Sequence, residues 1–146
     1  MINKFEAQKR ISILWFIGFG IILLLVITQI LLNRYLNYNK DVIEWFSQNT
    51  VPILMLIIST FIGNIKLNSA DKNVDKFYFR FTFYISFGYL FILLLVILFF
   101  PIGINYSKDV PNYFRSSQLF LTIIQSIVLY SLGLFFIKEN PNWTGS

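Results

Sequence analysis

The stretch ISILWFIGFGIILLLVITQILL, residues 11–32, contains no charged side chain. As an α-helix it would be about 30 Å long, which matches the thickness of the hydrocarbon core of a bilayer. Basic residues flank it, with Lys9 and Arg10 before it and Arg34 after it, as is typical of membrane helices. The residues that follow do not form the small-residue cleavage site of a signal peptide. The sequence therefore predicts a retained transmembrane helix.

The whole chain has the composition of a membrane protein. Of its 146 residues, 56% are hydrophobic and 13% are charged, whereas about 25% of the residues of a soluble domain are charged. This length accommodates about four membrane helices with short connections and leaves little room for a soluble domain. The chain has no Cys and no His, which excludes disulfides, thiol nucleophiles and the usual haem and zinc ligand sets. The sequence thus predicts a protein without a cofactor or metal site.

Three further apolar segments resemble the first, so we expect an all-α polytopic membrane protein whose four helices form a bundle. The bundle is expected to be a single domain over residues 1–143, and residues 144–146 are interpreted as an expression scar. The predicted membrane spans are residues 11–32, about 46–66, about 77–100 and 116–137.

The connections between the predicted spans carry local signals of their own. The second span is the weakest, because its strongly apolar part covers only residues 51–65. The alternatives are that the helix extends backwards through Trp45, that the bilayer thins locally, or that the segment is partly re-entrant; we expect a full crossing. Before it, residues 42–46 predict a short helix that lies flat in the headgroup region. The third helix is expected to begin near residue 69, about two turns before its membrane span, because Asn68 or Ser69 can cap it and Asp71 would then favour the helix dipole.

The distribution of basic residues predicts the orientation of the chain. Eight of the twelve Lys and Arg residues lie in the two terminal segments and in the connection between the second and third helices. Four lie in the other two connections. Because short cytoplasmic segments carry the excess of Lys and Arg, this bias predicts that both termini lie in the cytoplasm. The net charge of +5 is explained by these flanking residues, and no direct nucleic-acid partner is expected.

Neutral polar side chains are the only polar groups inside the predicted spans, since none of these spans has an ionisable residue in its interior. This absence argues against a pump or an ion-coupled transporter. One interpretation is that the polar side chains pack between helices and form hydrogen bonds there. The other is that a subset lines a hydrated path or seals a seam between protomers. The candidate residues for that path or seam are Gln29, Asn64, Thr122, Gln125 and Ser126.

A basic row precedes the third membrane span. Lys72, Lys76 and Arg80 follow one another at intervals of four residues, so they would share one face of a helix that begins near residue 69. One interpretation is a solvated helix end. The other is a docking surface for a cytosolic protein partner or for anionic membrane lipid.

The two stretches ISILWFIGFGIILLLVITQ and VPILMLIIST, together with the basic connection between the second and third helices, give the chain a layout that resembles a group of bacterial proteins. These are the small four-helix membrane proteins encoded beside cytosolic enzymes or sensors in anti-phage defence operons. The resemblance implies a membrane effector or membrane-sensing subunit, and it implies no role for any individual residue.

These observations predict a non-enzymatic subunit of the inner membrane. It would act with a cytosolic partner as a homo-oligomer, and it would sense or permeabilise the membrane. No catalytic motif with its required spacing occurs in the chain. The alternatives are a structural or assembly anchor of a larger membrane complex, and a small channel or carrier for a neutral solute.

Overall fold

Four long helices make up nearly all of the computed structural model, which describes residues 2–66, 73–103 and 110–137. Each helix has 28 residues, and each is long and apolar enough to cross a membrane. The prediction of an all-α four-helix protein is confirmed. The helices are α1 (Lys4–Leu31), α2 (Asn39–Lys66), α3 (Lys76–Gly103) and α4 (Val110–Ile137).

The helices form a ring in the order α1, α2, α4, α3. Both α1 and α4 pack against α2 and α3, so α1 and α4 lie across the ring from each other. Two rings of α1, one at its start and one near its middle, meet α2 in reverse order: Phe5 is stacked on Phe61 and Phe19 on Phe46. The two helices are therefore antiparallel, as short connections between sequential helices require.

The end of α1 shows why the chain turns there. Asn33 has a φ of 53°, in the left-handed region that Asn tolerates better than most residues. Its N–H donates to the Ile30 carbonyl at 2.9 Å, and the Arg34 N–H donates to the Gln29 carbonyl at 3.0 Å. This pair of bonds is a Schellman motif, which satisfies the last carbonyls of the helix. A short 3₁₀ helix, Leu36–Tyr38, then leads into α2.

The structure corrects the expectation of a separate flat helix before the second span. Residues 42–46 belong to α2, which continues without interruption through Pro52. Val42, Trp45 and Phe46 are buried in the bundle rather than exposed on a surface. Their spacing continues to Ile53 on the same helical face, so one continuous helix buries the whole face. The alternative of a second helix that extends backwards is the one that the structure adopts.

The third helix begins later than the sequence predicts. Its first residue is Lys76, not a residue near position 69, because the Asp75 side chain accepts a hydrogen bond from the Phe77 N–H at 3.0 Å and caps the helix there. Just before this cap, a two-residue strand, β2 (Asn73–Val74), pairs antiparallel with β1 (Ile2–Asn3). The predicted cap residues Asn68 and Ser69, and Asp71, lie outside the described residues.

The fourth helix begins earlier than its predicted span of 116–137, at Val110. Pro111 occupies its first turn, where the missing N–H of proline removes no intrahelical hydrogen bond. Val110 and Phe114 are buried against the rest of the bundle, so this extra length adds apolar contacts. The predicted scar, residues 144–146, lies outside the described residues.

Most of the apolar surface of the helices faces outwards. In the most apolar 18-residue stretch of each helix, only 28–39% of the residues are buried in the bundle. Large side chains such as Leu31, Phe77 and Phe120 are at least 70% exposed. Soluble monomers rarely expose apolar patches of this extent. The outer surface of the bundle thus has the composition of helices that are long and apolar enough to span a membrane.

Candidate functional site

A group of hydrogen-bonded polar side chains links three helices near the middle of the bundle. The amide nitrogen of the buried Asn49, on α2, donates to Gln118 Oε1 of α4 at 2.6 Å and to the Trp45 carbonyl at 2.7 Å. From α3, the Tyr89 hydroxyl donates to the Asn49 carbonyl at 3.1 Å and to its Oδ1 at 3.2 Å. We call Asn49, Tyr89 and Gln118 the Asn49 cluster. It satisfies a polar group that would otherwise be costly to bury.

Gln125 makes a second polar link between α2 and α4, and Pro52 explains it. Proline has no N–H, so the carbonyl four residues earlier, that of Gln48, lacks its helical hydrogen-bond donor. The Gln125 side chain is buried, and its Nε2 donates to that carbonyl at 2.9 Å. Gln125 thus supplies from α4 the hydrogen bond that Pro52 cannot make. A helix without water around it needs such a replacement.

Gln29 links α1 to α3 towards the end of the bundle where α1 terminates. Its Nε2 donates to the Ile97 carbonyl at 3.1 Å, and the Tyr35 hydroxyl donates to its Oε1. Burial raises the pKa of Tyr35 above its ordinary value, and the nearby Tyr113 raises it further. The hydroxyl therefore keeps its proton and remains a donor at neutral pH.

Of the remaining predicted seam residues, Thr122 touches the Asn49 cluster, because its hydroxyl accepts a hydrogen bond from Gln118 Nε2 at 3.4 Å. Thr122 and Ser126 are exposed on the outer surface of α4. Their hydroxyls donate back to their own helix, to the Gln118 and Thr122 carbonyls, both at 2.8 Å. Asn64 belongs to α2, but its side chain lies outside the described residues. The four candidates whose side chains are described are thus divided between interior links (Gln29, Gln125) and the outer surface (Thr122, Ser126), and the role of all five in a path stays a prediction.

Aromatic rings fill the bundle where α1 and α3 end. Tyr35 and Phe100 have ring centroids 4.7 Å apart, and the ring of Phe114 lies 4.9 Å from Trp45 and 5.2 Å from Phe100. Tyr113 adds to this cluster and donates its hydroxyl to the Val96 carbonyl at 2.8 Å. Within the described residues, this end of the interior is therefore occupied by packed side chains. A hydrated path that used the interior of one chain would require these rings to move.

Sequence reasoning missed Asn49 and Tyr89, which make the cluster that joins most helices. A signal was present, because Asn49 shares a helical face with Trp45 and Ile53, both buried and apolar. An amide at one position of an apolar face indicates a polar partner on a facing helix. Sequence reasoning also missed the contact of Thr82 with Ser131, whose hydroxyl oxygens lie 2.9 Å apart and link α3 to α4.

The predicted basic row is not one helical row. Because α3 begins at Lys76, only Lys76 and Arg80 lie on this helix, and Lys72 lies outside the described residues. Both described residues are exposed, and Arg80 faces Arg10 of α1 across a surface groove. The basic surface is thus shared between two helices that start at the same end of the bundle. Its role in docking stays a prediction.

The comparisons with known proteins leave the function to be argued from this geometry. No family model, no curated protein and no solved structure matches the chain. Among the described residues, no group of three acidic, Cys or His side chains is arranged to hold a metal ion. The side chains of Asn49, Gln125 and Gln29 link helices to one another by hydrogen bonds.

Proposed function

We propose that the chain is a multi-pass protein of a bacterial inner membrane, with both termini in the cytoplasm. Two observations support this placement. The outward-facing positions of all four helices carry large apolar side chains, including Leu24, Met55, Tyr84 and Leu119, each more than 60% exposed. The excess of basic residues lies at the end where α1 and α3 begin, which is the end expected in the cytoplasm.

We further propose that the protein acts as a non-enzymatic subunit that self-associates in the membrane and senses or permeabilises it together with a cytosolic partner. The observation that carries this proposal is the exposed pair Thr122 and Ser126 on α4, surrounded by the exposed apolar residues Leu119 and Ile123. Small hydroxyl side chains on an apolar surface allow a second helix to approach closely. Because the aromatic cluster fills one end of the interior, a path would form between chains rather than within one.

The chain offers a matched pair of threonines to test this proposal. Thr28 on α1 is also exposed, and its hydroxyl donates to the Leu24 carbonyl at 2.7 Å, as that of Thr122 does to Gln118. We expect Thr122→Leu to reduce both the particle mass in detergent and the loss of membrane potential on overexpression. Thr28→Leu should change neither. A monomeric particle for the unaltered chain, or normal membrane potential on overexpression, would contradict the proposal.

For the cytosolic partner, the exposed Lys76 at the start of α3 is the described residue of the predicted docking row that lies farthest from the apolar segment. An acidic surface of the partner would complement it. We expect Lys76→Glu to weaken co-purification with the product of the adjacent gene while membrane insertion is retained. Lys40→Glu, at the other end of the bundle, is the matched control. If both variants co-purify equally, the basic end does not dock the partner.

The second candidate function is a structural anchor in a larger membrane complex. The Asn49 cluster, Gln125 and Gln29 favour it, because hydrogen bonds between helices hold one packing arrangement and a sensor needs two. An anchor would be recovered in a complex of constant stoichiometry, and its overexpression would leave growth and membrane potential unchanged. The overexpression experiment therefore separates the two candidates.

A further inference from the structure

An open groove of about 570 Å³ runs between α1 and α3 at the end of the bundle where both helices begin. Leu14 on α1 and the rings of Phe79 and Phe83 on α3 give it an apolar lining. Arg10 and Arg80 line the same groove, one from each helix. Its volume is within the range of roughly 300–1,000 Å³ that is usual for small-molecule sites.

The two arginines lie at the same depth in the bundle. Each directly precedes an uncharged segment, residues 11–32 after Arg10 and residues 81–100 after Arg80. Because α1 and α3 run in the same direction, both side chains lie at the same boundary between polar and apolar surface. Among the described residues, neither guanidinium forms a hydrogen bond or an ion pair, even though Glu6 lies one turn before Arg10. The groove therefore combines two unneutralised positive charges with an apolar lining.

We propose that this groove binds one membrane phospholipid with an anionic headgroup. The phosphate lies between Arg10 and Arg80, and an acyl chain lies along Leu14, Ile17 and Phe83. This inference rests on the membrane placement proposed above, and it is independent of self-association and of the cytosolic partner.

Charge complementarity identifies this occupant. The planar guanidinium group binds phosphate oxygens in pairs, and two such groups together favour a ligand with a net negative charge. Tyr84, 68% exposed, lines the groove one turn beyond Arg80, at the depth where tyrosines contact headgroups. A second groove, of about 230 Å³ between α1 and α2, has no charged residue in its lining and offers no such selectivity.

The experiment compares two double variants that remove the same charge from opposite ends of the bundle. The full chain is reconstituted in nanodiscs that contain equal parts of phosphatidylglycerol and phosphatidylcholine. It is then extracted, and the retained lipids are counted by native mass spectrometry. Arg10→Gln with Arg80→Gln removes the proposed site. Arg34→Gln with Arg115→Gln is the control, because both of these residues are exposed.

We expect the unaltered chain and the control to retain phosphatidylglycerol in preference to phosphatidylcholine. In the Arg10 and Arg80 double variant this preference should fall by about tenfold, since each basic side chain near a membrane surface favours anionic lipid several-fold. An equal fall in both double variants would mean a general charge effect and would overturn the proposal. Unchanged preference in the Arg10 and Arg80 double variant would overturn it as well.

A third variant keeps every charge and tests the lining alone. Ile17→Trp places a larger side chain in the groove, so it should lower the retention of phosphatidylglycerol while Arg10 and Arg80 remain. Normal retention in this variant would contradict the site. The membrane placement is tested by a different observation: recovery of the chain in solution without detergent would refute that placement. A membrane-extracted chain without lipid selectivity refutes only this groove.

Discussion

Asn49 is the residue on which the packing of three helices converges. A buried amide in an apolar environment is destabilising unless all of its polar atoms have partners. Here the amide nitrogen, the side-chain oxygen and the backbone carbonyl of Asn49 are all hydrogen-bonded, the oxygens by the single hydroxyl of Tyr89. We interpret the Asn49 cluster as the device that selects one relative position of α2, α3 and α4.

This interpretation predicts coupling between Asn49 and Tyr89. Asn49→Ala and Tyr89→Phe should each lower the free energy of unfolding in mixed micelles. The double variant should lose less than the sum of the two changes, by about 1 kcal/mol, the size of interhelical hydrogen bonds in membranes. The control pair is Asn49→Ala with Thr82→Val, because Thr82 bonds to Ser131 and does not touch the cluster. Additive effects for Asn49 and Tyr89 would contradict the interpretation.

At the scale of the element, α1 and α3 approach each other closely at Gly18. A methyl group at this position would lie 2.7 Å from Leu90 Cδ1 and 3.3 Å from its Cγ. Leu90 is buried, so it has little freedom to turn away. At Gly20, two residues further along α1, a methyl group would meet nothing within 4 Å.

The two glycines therefore predict opposite effects of alanine. Gly20→Ala should leave the free energy of unfolding unchanged or raise it by up to about 1 kcal/mol, because alanine favours the helix. Gly18→Ala should lower it relative to Gly20→Ala by roughly 1–3 kcal/mol, the usual range for overpacking. The comparison uses the same unfolding assay in mixed micelles. Equal stability of the two variants would show that the packing of α1 against α3 does not depend on this close approach.

Pro52 and Gln125 make a second link between helices, in which α2 depends on a hydrogen bond from α4. If Gln125 replaces the missing N–H of Pro52, then Gln125→Leu should be strongly destabilising only while proline is present. In a Pro52→Ala background, the new N–H can bond to the Gln48 carbonyl within α2, so Gln125→Leu should cost less by about 1 kcal/mol. Urea or dodecyl sulfate titrations of the four chains would measure this difference. An equal cost in both backgrounds would exclude the compensation.

At the scale of the whole molecule, the sequence predicts what depends on composition and length. Four apolar segments separated by short connections specify four helices in alternating directions, and these are the helices observed. Charge and length predict the number and directions of the helices because they act on each segment separately. Where two helices are in contact, the sequence shows which residue types each helix offers. It does not show which residue of one helix contacts which residue of the other.

The differences between prediction and structure follow from this division. The weakly apolar residues 42–46 indicate a surface helix when considered alone, but their buried face is completed by α4 through Phe114 and Gln118. The start of α3 depends on the Asp75 cap and on the pairing of β2 with β1, which lies more than 60 residues away in the chain. The residue periodicity of one helix does not predict the contact of α2 with α4 or the pairing of β2 with β1. Both become visible only in the tertiary structure.

The same reasoning separates the polar residues. Thr122, Gln125 and Ser126 share one helical face by spacing, yet Gln125 is buried against α2 while the two hydroxyl residues are exposed. The boundary between interior and outer surface runs through this face. Its position depends on how α4 is rotated against its neighbours, which residue spacing alone does not determine.

The most direct test of the account is whether successive helix ends lie on opposite sides of a membrane. The natural chain has no Cys, so single-cysteine variants can be labelled without background. Lys40→Cys, at the start of α2, should react with an impermeant maleimide in intact cells. Lys76→Cys, at the start of α3, should react only after the cells are permeabilised. Reaction of both in intact cells, or of Lys76→Cys alone, would contradict the account.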